Sequence, residues 1–382
     1  MTDEKDRFHR RYYFLDGLRG WGAVTVVFFH VMIDGFPANS KMANLNFWSR
    51  VFFLNGTFAV SVFFIVSGFS LAIGYLETRD WRILVRLAAG RYLRLVIPIF
   101  SVCLIVHLML RLGIIPAIDA RRGPAVFKTM LRFHSTVSHL LDFSLFGVFF
   151  GYSENITYVP PLWTMHFEFF GSYLILTVLA VIGNSRLLAF ANIALACALV
   201  FMGIVYTQFR YPLFLYALFP VGALFAELFL DELVHERRLV LWWITCLLLG
   251  LALTLFPRTW QFTVYVLAAS LATYGFIFVR RLRMFLENPL SCFLGRISFP
   301  LYLVHGPVMW GFSLNFIAYL ERVGVGYAAA STLNALIAIP LSFLLAIAFS
   351  PINDVAIIVA RRFGRSVVML FDQAIDRFGA GA

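Results

Sequence analysis

Ten stretches of mostly apolar residues follow one another along this chain, and each is long enough to cross a membrane. A helix needs about 20 apolar residues to span the roughly 30 Å hydrocarbon core of a bilayer. It also satisfies its own backbone hydrogen bonds, which lipid cannot do. The predicted spans are residues 13–34, 52–76, 95–112, 162–182, 187–206, 211–230, 239–256, 261–279, 299–320 and 327–349.

The composition supports the same fold class. Hydrophobic residues make up 61% of the 382 residues and charged residues 13%, whereas globular domains are about 45–50% apolar. The sequence therefore predicts an all-α, polytopic integral membrane protein, with one membrane domain over residues 1–350. Residues 351–382 carry apolar side chains on one helical face and arginines on the other, which predicts a cytoplasmic tail lying on the membrane surface.

Lysine and arginine predict the orientation. With the N-terminus inside, the inner segments hold about twice as many of these residues as the outer ones, so both termini should be cytoplasmic. The net charge of +11 is then mainly an orientation signal and does not indicate nucleic-acid binding. The four cysteines lie in or beside separate spans, a pattern that favours neither a disulfide framework nor a metal site.

Two ionisable residues lie in the first predicted span. His30 follows Arg19 by eleven positions, so a helix places them within about 20° in azimuth and roughly 16 Å apart along its axis. A charge at the bilayer centre costs at least about 2.5 to 3.5 kcal/mol, so such residues usually face a cavity or the protein interior. The alternative is a structural pair of contacts, with Asp16 bonding Arg19 and Asp34 bonding His30.

Five arginines lie between residues 79 and 94, before the third predicted span. Arg91 and Arg94 stand nearest the span, where their guanidinium groups could bind phosphate oxygens in a bidentate manner. A cytoplasmic loop that only sets the orientation would also be rich in arginine.

Polar residues interrupt three other spans. In the second span, Ser67 and Gly68 permit either close helix packing against the first span or a narrow channel lined by backbone. At the start of the fourth, Trp163 suits the membrane interface and His166 could lie there too, whereas Glu168 needs a partner or water.

The ninth span carries a third polar cluster. Ser298 and Tyr302 share one helical face, and His305 follows three residues later. These residues could form a structural hydrogen-bonded group or part of a site.

Five motifs in this order resemble the membrane-bound acyltransferase family 3, over Phe14 to about Ser350. They are LDGLRG with ten residues between Arg19 and His30, FFIVSGF, RYLRLVIP, LWTMHFEF and ISFPLYLVH. Members of this family move an acyl group, usually acetyl, from cytoplasmic acyl-CoA to saccharides and other hydroxyl acceptors. The resemblance implies catalysis by His30 with its companion Arg19 and the acidic Glu168, and donor contacts by Ser67, Gly68, Phe69, Arg91 and Arg94.

Further roles follow from position. Asp34, one turn beyond His30, could hold the tautomer of that imidazole. Trp163, His166, Tyr302 and His305 are the candidate substrate-binding residues. Phe169 stands where many relatives have a second acidic residue, so a paired-carboxylate role is not expected.

The sequence thus predicts a multi-pass O-acyltransferase of the cell membrane. Acyl-CoA is its co-substrate, and no metal or permanently bound cofactor is expected. The acceptor is a hydroxyl of a saccharide-like molecule, extracytoplasmic or lipid-linked, whose identity stays open. So do the oligomeric state and the choice between direct transfer and an acyl-histidine intermediate. The alternative is a transporter or flippase that uses Arg19, Glu168 and His305 along its path.

Overall fold

The computed structural model describes residues 11–36, 54–115, 133–206 except 184 and 186, 213–232, 240–253 and 261–379. Within these ranges all regular secondary structure is helical, which confirms the all-α prediction. The helices are α1 (Tyr13–Phe28), α2 (Gly56–Thr78), α3 (Trp81–Arg111), α4 (Val137–Asp142), α5 (Thr164–Ile182), α6 (Leu187–Val205), α7 (Leu218–Glu232), α8 (Val240–Leu253), α9 (Gln261–Phe278), α10 (Arg280–Leu286), α11 (Pro289–Pro307), α12 (Leu314–Arg322) and α13 (Tyr327–Gly379).

Shorter helical pieces extend several of these elements. π-helical turns continue α1 over Phe29–Gly35, α4 over Phe143–Gly147 and α11 over Val308–Ser313. The chain enters α5 through a 3₁₀ turn, Pro160–Trp163. His30 therefore lies on a π-helical continuation of α1, where the ordinary α-helical spacing no longer holds.

The expectation of ten spans is wrong by the criterion of helix length and apolarity. Six of the described helices meet it, namely α2, α3, α5 and α7 with the 3₁₀ turns that precede them, α6 and α13. A seventh is added if α9 and α10, bent by 90° at their junction, count as one span. α1 has only 16 α-helical residues and contains Asp16 and Arg19, and the described part of α8 has 14 residues. Each predicted span nevertheless overlaps a helix.

Side-chain caps fix where four helices begin, namely α2, α3, α4 and α11. The side chain of Asn55 accepts a hydrogen bond from the backbone N–H of Phe58 at 2.9 Å, at the start of α2. Asp80 does the same for α3 and Asn288 for α11. Such caps satisfy backbone donors that have no partner inside the helix.

Glycines bring α1 into close contact with the end of α10 and with α11. A Cβ atom on Gly17 would overlap the carbonyl of Leu286, and one on Gly20 would overlap the backbone of Leu294 and Gly295. Gly295 in turn lies against the backbone of Asp16. Small residues allow helix backbones to approach closely in membranes, where the hydrophobic effect between helices is weak.

α13 is a continuous helix of 53 residues. It shows no break near residue 350, where the sequence predicts the start of a separate tail. Beyond that point α13 packs on α3, since a Cβ on Gly90 would meet the carbonyl of Ala360 and one on Gly364 would overlap the carbonyl of Arg86. The position of this segment on the inner membrane surface stays a prediction.

Two apolar clusters form the interior of the described chain. One is built mainly from the first half of α1, α2, α5, α7 and α9. The other combines the end of α1 with α3, the start of α5, α11 and α13. A cavity lies between the two clusters and is lined by residues of both.

Gly20→Ala tests the α1–α11 contact. The added methyl group overlaps the backbone of Gly295, so we expect a loss of about 1–3 kcal/mol of stability and a clear drop in the melting temperature in detergent. Gly74→Ala is the matched control, because its Cβ would meet only Ile83 at 3.8 Å and alanine favours a helix by about 1 kcal/mol over glycine. Equal melting temperatures for the two variants would contradict the contact.

Candidate functional site

The cavity between the apolar clusters has a volume of about 700 Å³ and lies among α1, α2, α3, α5, α11 and α13. Its lining includes Phe64 of the first cluster and Leu95, Met165 and Tyr302 of the second. The direction of the helices defines its two ends. Val60, Thr164 and Tyr302 line the end near the predicted outer side, and exposed arginines line the other. This volume falls in the range of small-molecule sites, about 300–1,000 Å³.

The cavity carries an excess of positive charge. Among the described residues its lining contains six arginines and three carboxylates. The arginines are Arg11, Arg19, Arg91, Arg94, Arg296 and Arg361, and the carboxylates are Asp16, Glu168 and Asp354. A cavity lined mostly by one sign of charge attracts ligands of the opposite sign.

Glu168 joins three helices at the centre of this cavity. Arg91 of α3 forms an ion pair with its carboxylate, and both side chains are only 15% exposed. The hydroxyl of Ser67 on α2 donates to the same carboxylate at 2.6 Å. The negative charge of Glu168 is therefore compensated inside the protein, as a membrane-embedded carboxylate requires.

Arg19 also points into the cavity. Its Nη2 donates to the hydroxyl of Ser70 at 3.0 Å, and its Nη1 lies 3.9 Å from the carboxylate of Asp16. Asp16 itself accepts a shorter hydrogen bond, 2.7 Å, from Arg11. The predicted contact between Asp16 and Arg19 is confirmed, but Asp16 is shared with a second arginine.

The C-terminal helix forms one wall of the cavity. Arg94 of α3 donates to the side-chain oxygen of Asn353 at 2.8 Å, and its guanidinium lies over the ring of Phe299, 5.4 Å from the centroid. Arg361 lies two turns further along α13 and lines the same cavity. Arg94 thus contacts a residue that follows position 350.

Hydrogen bonds fix the outer end of the cavity. The hydroxyl of Tyr302 donates to the carbonyl of Pro161 at 2.7 Å and lies 2.7 Å from the hydroxyl of Thr164. Because Pro161 can only accept, Tyr302 is the donor there and Thr164 donates to Tyr302 or to Pro161. These bonds tie α11 to the entry of α5.

His305 lies one turn beyond Tyr302 and contacts His30, which follows α1. Nδ1 of His30 is 3.0 Å from Nε2 of His305, and their ring planes are 9° apart. Nδ1 of the buried His305 faces the carbonyl of Leu301 at 3.1 Å, so it carries a hydrogen. In the neutral pair Nε2 of His305 is then the acceptor and Nδ1 of His30 the donor. This leaves Nε2 of His30 as the nitrogen that can take up a proton.

The structure brings together about half of the residues predicted for the site. The cavity lining includes Arg19, Ser67, Arg91, Arg94, Glu168 and Tyr302. His30 and His305 bond each other just outside it. The side chain of Asp34 lies outside the described residues, and it is His305 that bonds Nδ1 of His30. Their catalytic and binding roles stay predictions.

Four predicted residues face other parts of the protein. Gly68 abuts the backbone of Phe219 on α7, and Phe69 packs edge-on against Phe14. Nδ1 of His166 donates to the carbonyl of Phe149. Trp163 packs edge-on against Phe167. Of the two interpretations of Gly68, close packing is thus the one observed, but the predicted partner is wrong: Gly68 packs on α7 and not on the first span.

Sequence reasoning missed several lining residues. Thr164 could have been found, because it precedes Glu168 by four residues and so shares its helical face. Arg296 stands two residues before Ser298, but in the sequence it appears only as one of the basic residues that predict the orientation in the membrane. Asn353 and Arg361 fall in the predicted tail. Only the small residues Ala360 and Gly364, spaced by four, hint that this segment packs closely on another helix.

A metal site is not among the features of this region. Within the described ranges, no three histidine, cysteine, aspartate or glutamate side chains are placed to bind one ion together. The chemistry available here is that of a cationic cavity and an adjacent imidazole pair.

One family profile matches this chain. It describes an acyltransferase domain, family 3, and covers residues 12–351. No curated protein and no solved structure is significantly similar. The profile therefore includes most of the cavity lining but excludes Arg11 and the contributions of α13 beyond Pro351.

The ion pair between Arg91 and Glu168 predicts a coupled effect on stability. Removing either partner by Arg91→Ala or Glu168→Ala leaves a buried charge uncompensated and should cost about 3–5 kcal/mol. The double variant should lose less than the sum, because no unpaired charge remains. The melting temperature of each variant in detergent measures these losses of stability.

Ser298→Ala is the control for that cycle. It removes a hydroxyl from the same cavity, but one bonded to the backbone of Gly295 at 2.8 Å, and should cost about 1 kcal/mol or less. Strictly additive effects of the two charge variants would argue against the pair.

Proposed function

The chain belongs to acyltransferase family 3, and from that premise we propose that it moves an acyl group, most simply acetyl, from cytoplasmic acyl-CoA to a hydroxyl of a saccharide-like acceptor. The cell membrane is the proposed location, and the acceptor is extracytoplasmic or lipid-linked. The observation that best supports this proposal is the arginine-lined cavity that leads from the predicted cytoplasmic side toward the His30–His305 pair.

The arginines suit the donor. Acyl-CoA bears phosphates at one end and an uncharged thioester at the other. Arg11, Arg296 and Arg361 are exposed at the predicted cytoplasmic end of the cavity, where their planar guanidinium groups can each bind two phosphate oxygens. Arg94 and Arg19 lie deeper and would stabilise negative charge along the path.

The less polar end of the donor would extend toward the outer end of the cavity. The rings of Phe63 and Tyr302 meet edge to face there, with centroids 6.0 Å apart. The ring of His305 lies 6.1 Å from that of Tyr302. A thioester that passes between Phe63 and Tyr302 would reach the histidine pair.

His30 is the proposed general base. Its Nδ1 is held by His305, so Nε2 can accept the proton of the acceptor hydroxyl as that oxygen attacks the thioester carbonyl carbon. The new C–O bond forms, the C–S bond breaks, and the proton passes from His30 to the departing CoA sulfur. His305 acts here as a positioning residue. Transfer through an acyl-histidine would use the same Nε2 as nucleophile.

His30→Gln should abolish turnover but keep donor binding. We expect acetyl-CoA to raise the melting temperature of this variant as it does that of the wild type, because the arginines are intact. Release of free CoA in the presence of a panel of hydroxyl acceptors should fall to background. His305→Gln should lower kcat with little change in KM for acetyl-CoA, since it alters the orientation of the base only.

Two outcomes would overturn this proposal. Undiminished CoA release by His30→Gln would remove the assigned base. Movement of a saccharide-like solute across sealed vesicles without acyl-CoA, together with no donor-dependent shift in melting, would favour a transporter.

Arg361→Gln tests the contribution of α13 to donor binding. Losing one phosphate contact of about 1.5–3 kcal/mol should raise KM for acetyl-CoA by about tenfold or more and leave kcat nearly unchanged. Arg280→Gln is a matched control, because it removes an exposed arginine from the same predicted face away from the cavity. Equal effects of the two variants would argue against a specific contact.

A further inference from the structure

A second cavity, of about 830 Å³, lies between the first turns of α3 and the last part of α13. Four arginines line it, namely Arg82, Arg86, Arg362 and Arg365, together with Asp80. We call this cavity the arginine groove. It lies on the predicted cytoplasmic side, and none of its residues lines the cavity around Glu168 described above.

Helix packing holds these arginines together. Gly364 sits directly on the carbonyl of Arg86, so Arg362 and Arg365 on either side of it come close to the start of α3. Because glycine has no side chain, the two helix backbones pack closely here, which brings the like charges near one another. The groove is therefore a fixed concentration of positive charge.

Few carboxylates compensate that charge. Arg82 donates to both carboxylate oxygens of Asp372, at 3.0 and 3.1 Å, and lies 3.9 Å from Asp80. In contrast, Arg86, Arg362 and Arg365 form no ion pair with any carboxylate of the described chain. These three guanidinium groups thus line the groove without an ion pair of their own, an arrangement that a bound phosphate would stabilise.

The depth of the groove points to lipid. α3 has 31 residues and is about 46 Å long, which exceeds the roughly 30 Å hydrocarbon core. Its first turns therefore reach the headgroup region. Trp81 lies there, with the guanidinium of Arg82 over its ring at 5.5 Å, and tryptophan is typical of the membrane interface.

The rim of the groove is apolar. Ile83, Val368 and Met369 line it, and the adjoining Leu370 and Phe371 on α13 are at least half exposed. A ligand that carries a phosphate and acyl chains would satisfy both surfaces, whereas a soluble phosphate would leave the apolar rim uncovered. Basic pockets between helices on the cytoplasmic side commonly bind anionic lipid headgroups.

We propose that the arginine groove binds the phosphate of an anionic phospholipid in the inner leaflet. The guanidinium groups of Arg86, Arg362 and Arg365 contact the headgroup, and the acyl chains lie along Met369 and its apolar neighbours. This site does not depend on the identity of the acyl donor or acceptor.

The test uses Arg362→Gln/Arg365→Gln in the full-length protein. Both side chains are exposed, so the fold should survive the change. In nanodiscs of phosphatidylcholine, added phosphatidylglycerol should raise the melting temperature of the wild type by about 2 °C or more. The double variant should need about tenfold more phosphatidylglycerol for the same shift, because each arginine near an anionic surface contributes to binding.

Arg280→Gln/Arg281→Gln is the control for general surface charge. It removes two exposed arginines from the same predicted face and should respond to phosphatidylglycerol like the wild type. An equal loss of response in both double variants would overturn the proposal, because the effect would then be the surface potential alone.

A second arm distinguishes lipid from soluble phosphate. Adenosine 3′,5′-bisphosphate is added to the protein in phosphatidylcholine nanodiscs. A rise in melting that Arg362→Gln/Arg365→Gln abolishes would assign the groove to a nucleotide and overturn the lipid site. A rise that the double variant keeps, together with its lost response to phosphatidylglycerol, supports the proposal.

Discussion

A carboxylate inside a membrane protein has to be neutralised by the protein itself, and Glu168 shows how far this requirement shapes the fold. Its partners come from two other helices, Arg91 from α3 and Ser67 from α2. The three helices are therefore fixed in rotation as well as in distance. In this arrangement Arg94 and Thr164 both line the cavity. The cavity thus lies where residues of α2, α3 and α5 meet around the charge of Glu168.

The amino-acid sequence is sufficient for the class of fold and for part of the site. The cost of a charge in lipid singles out Arg19 and Glu168, and both line the cavity. Helical spacing likewise groups Ser298 with Tyr302. The number of spans is predicted less accurately, because an apolar stretch does not reveal how long its regular helix is: in the first span the α-helix has only 16 residues and continues as a π-helix. Helix starts are missed as well. α3 starts at Trp81, well before its apolar part.

Contacts between distant segments could not be predicted. Nothing in the sequence indicates that Gly90 meets Ala360, or that Arg94 bonds Asn353, because each pair is separated by more than 200 positions. The pairing of His30 with His305 could not be predicted for the same reason. The candidate partner that is near in the sequence is Asp34, one turn from His30. Within α13, neighbouring arginines serve different surfaces. Arg361 lines the cavity around Glu168 and Arg362 lines the arginine groove.

The contacts at the outer end of the cavity affect how well the membrane blocks the passage of ions and protons. A water-filled recess that enters from one side shortens the remaining barrier to ions and protons, and the transmembrane potential then falls over that shorter distance. Here the barrier consists of the aromatic contact between Phe63 and Tyr302 and the hydrogen bonds from Tyr302 to Pro161 and Thr164. Among the described residues these contacts separate the cavity from the predicted outer side, so a looser hold on Tyr302 would lower the barrier to proton leakage.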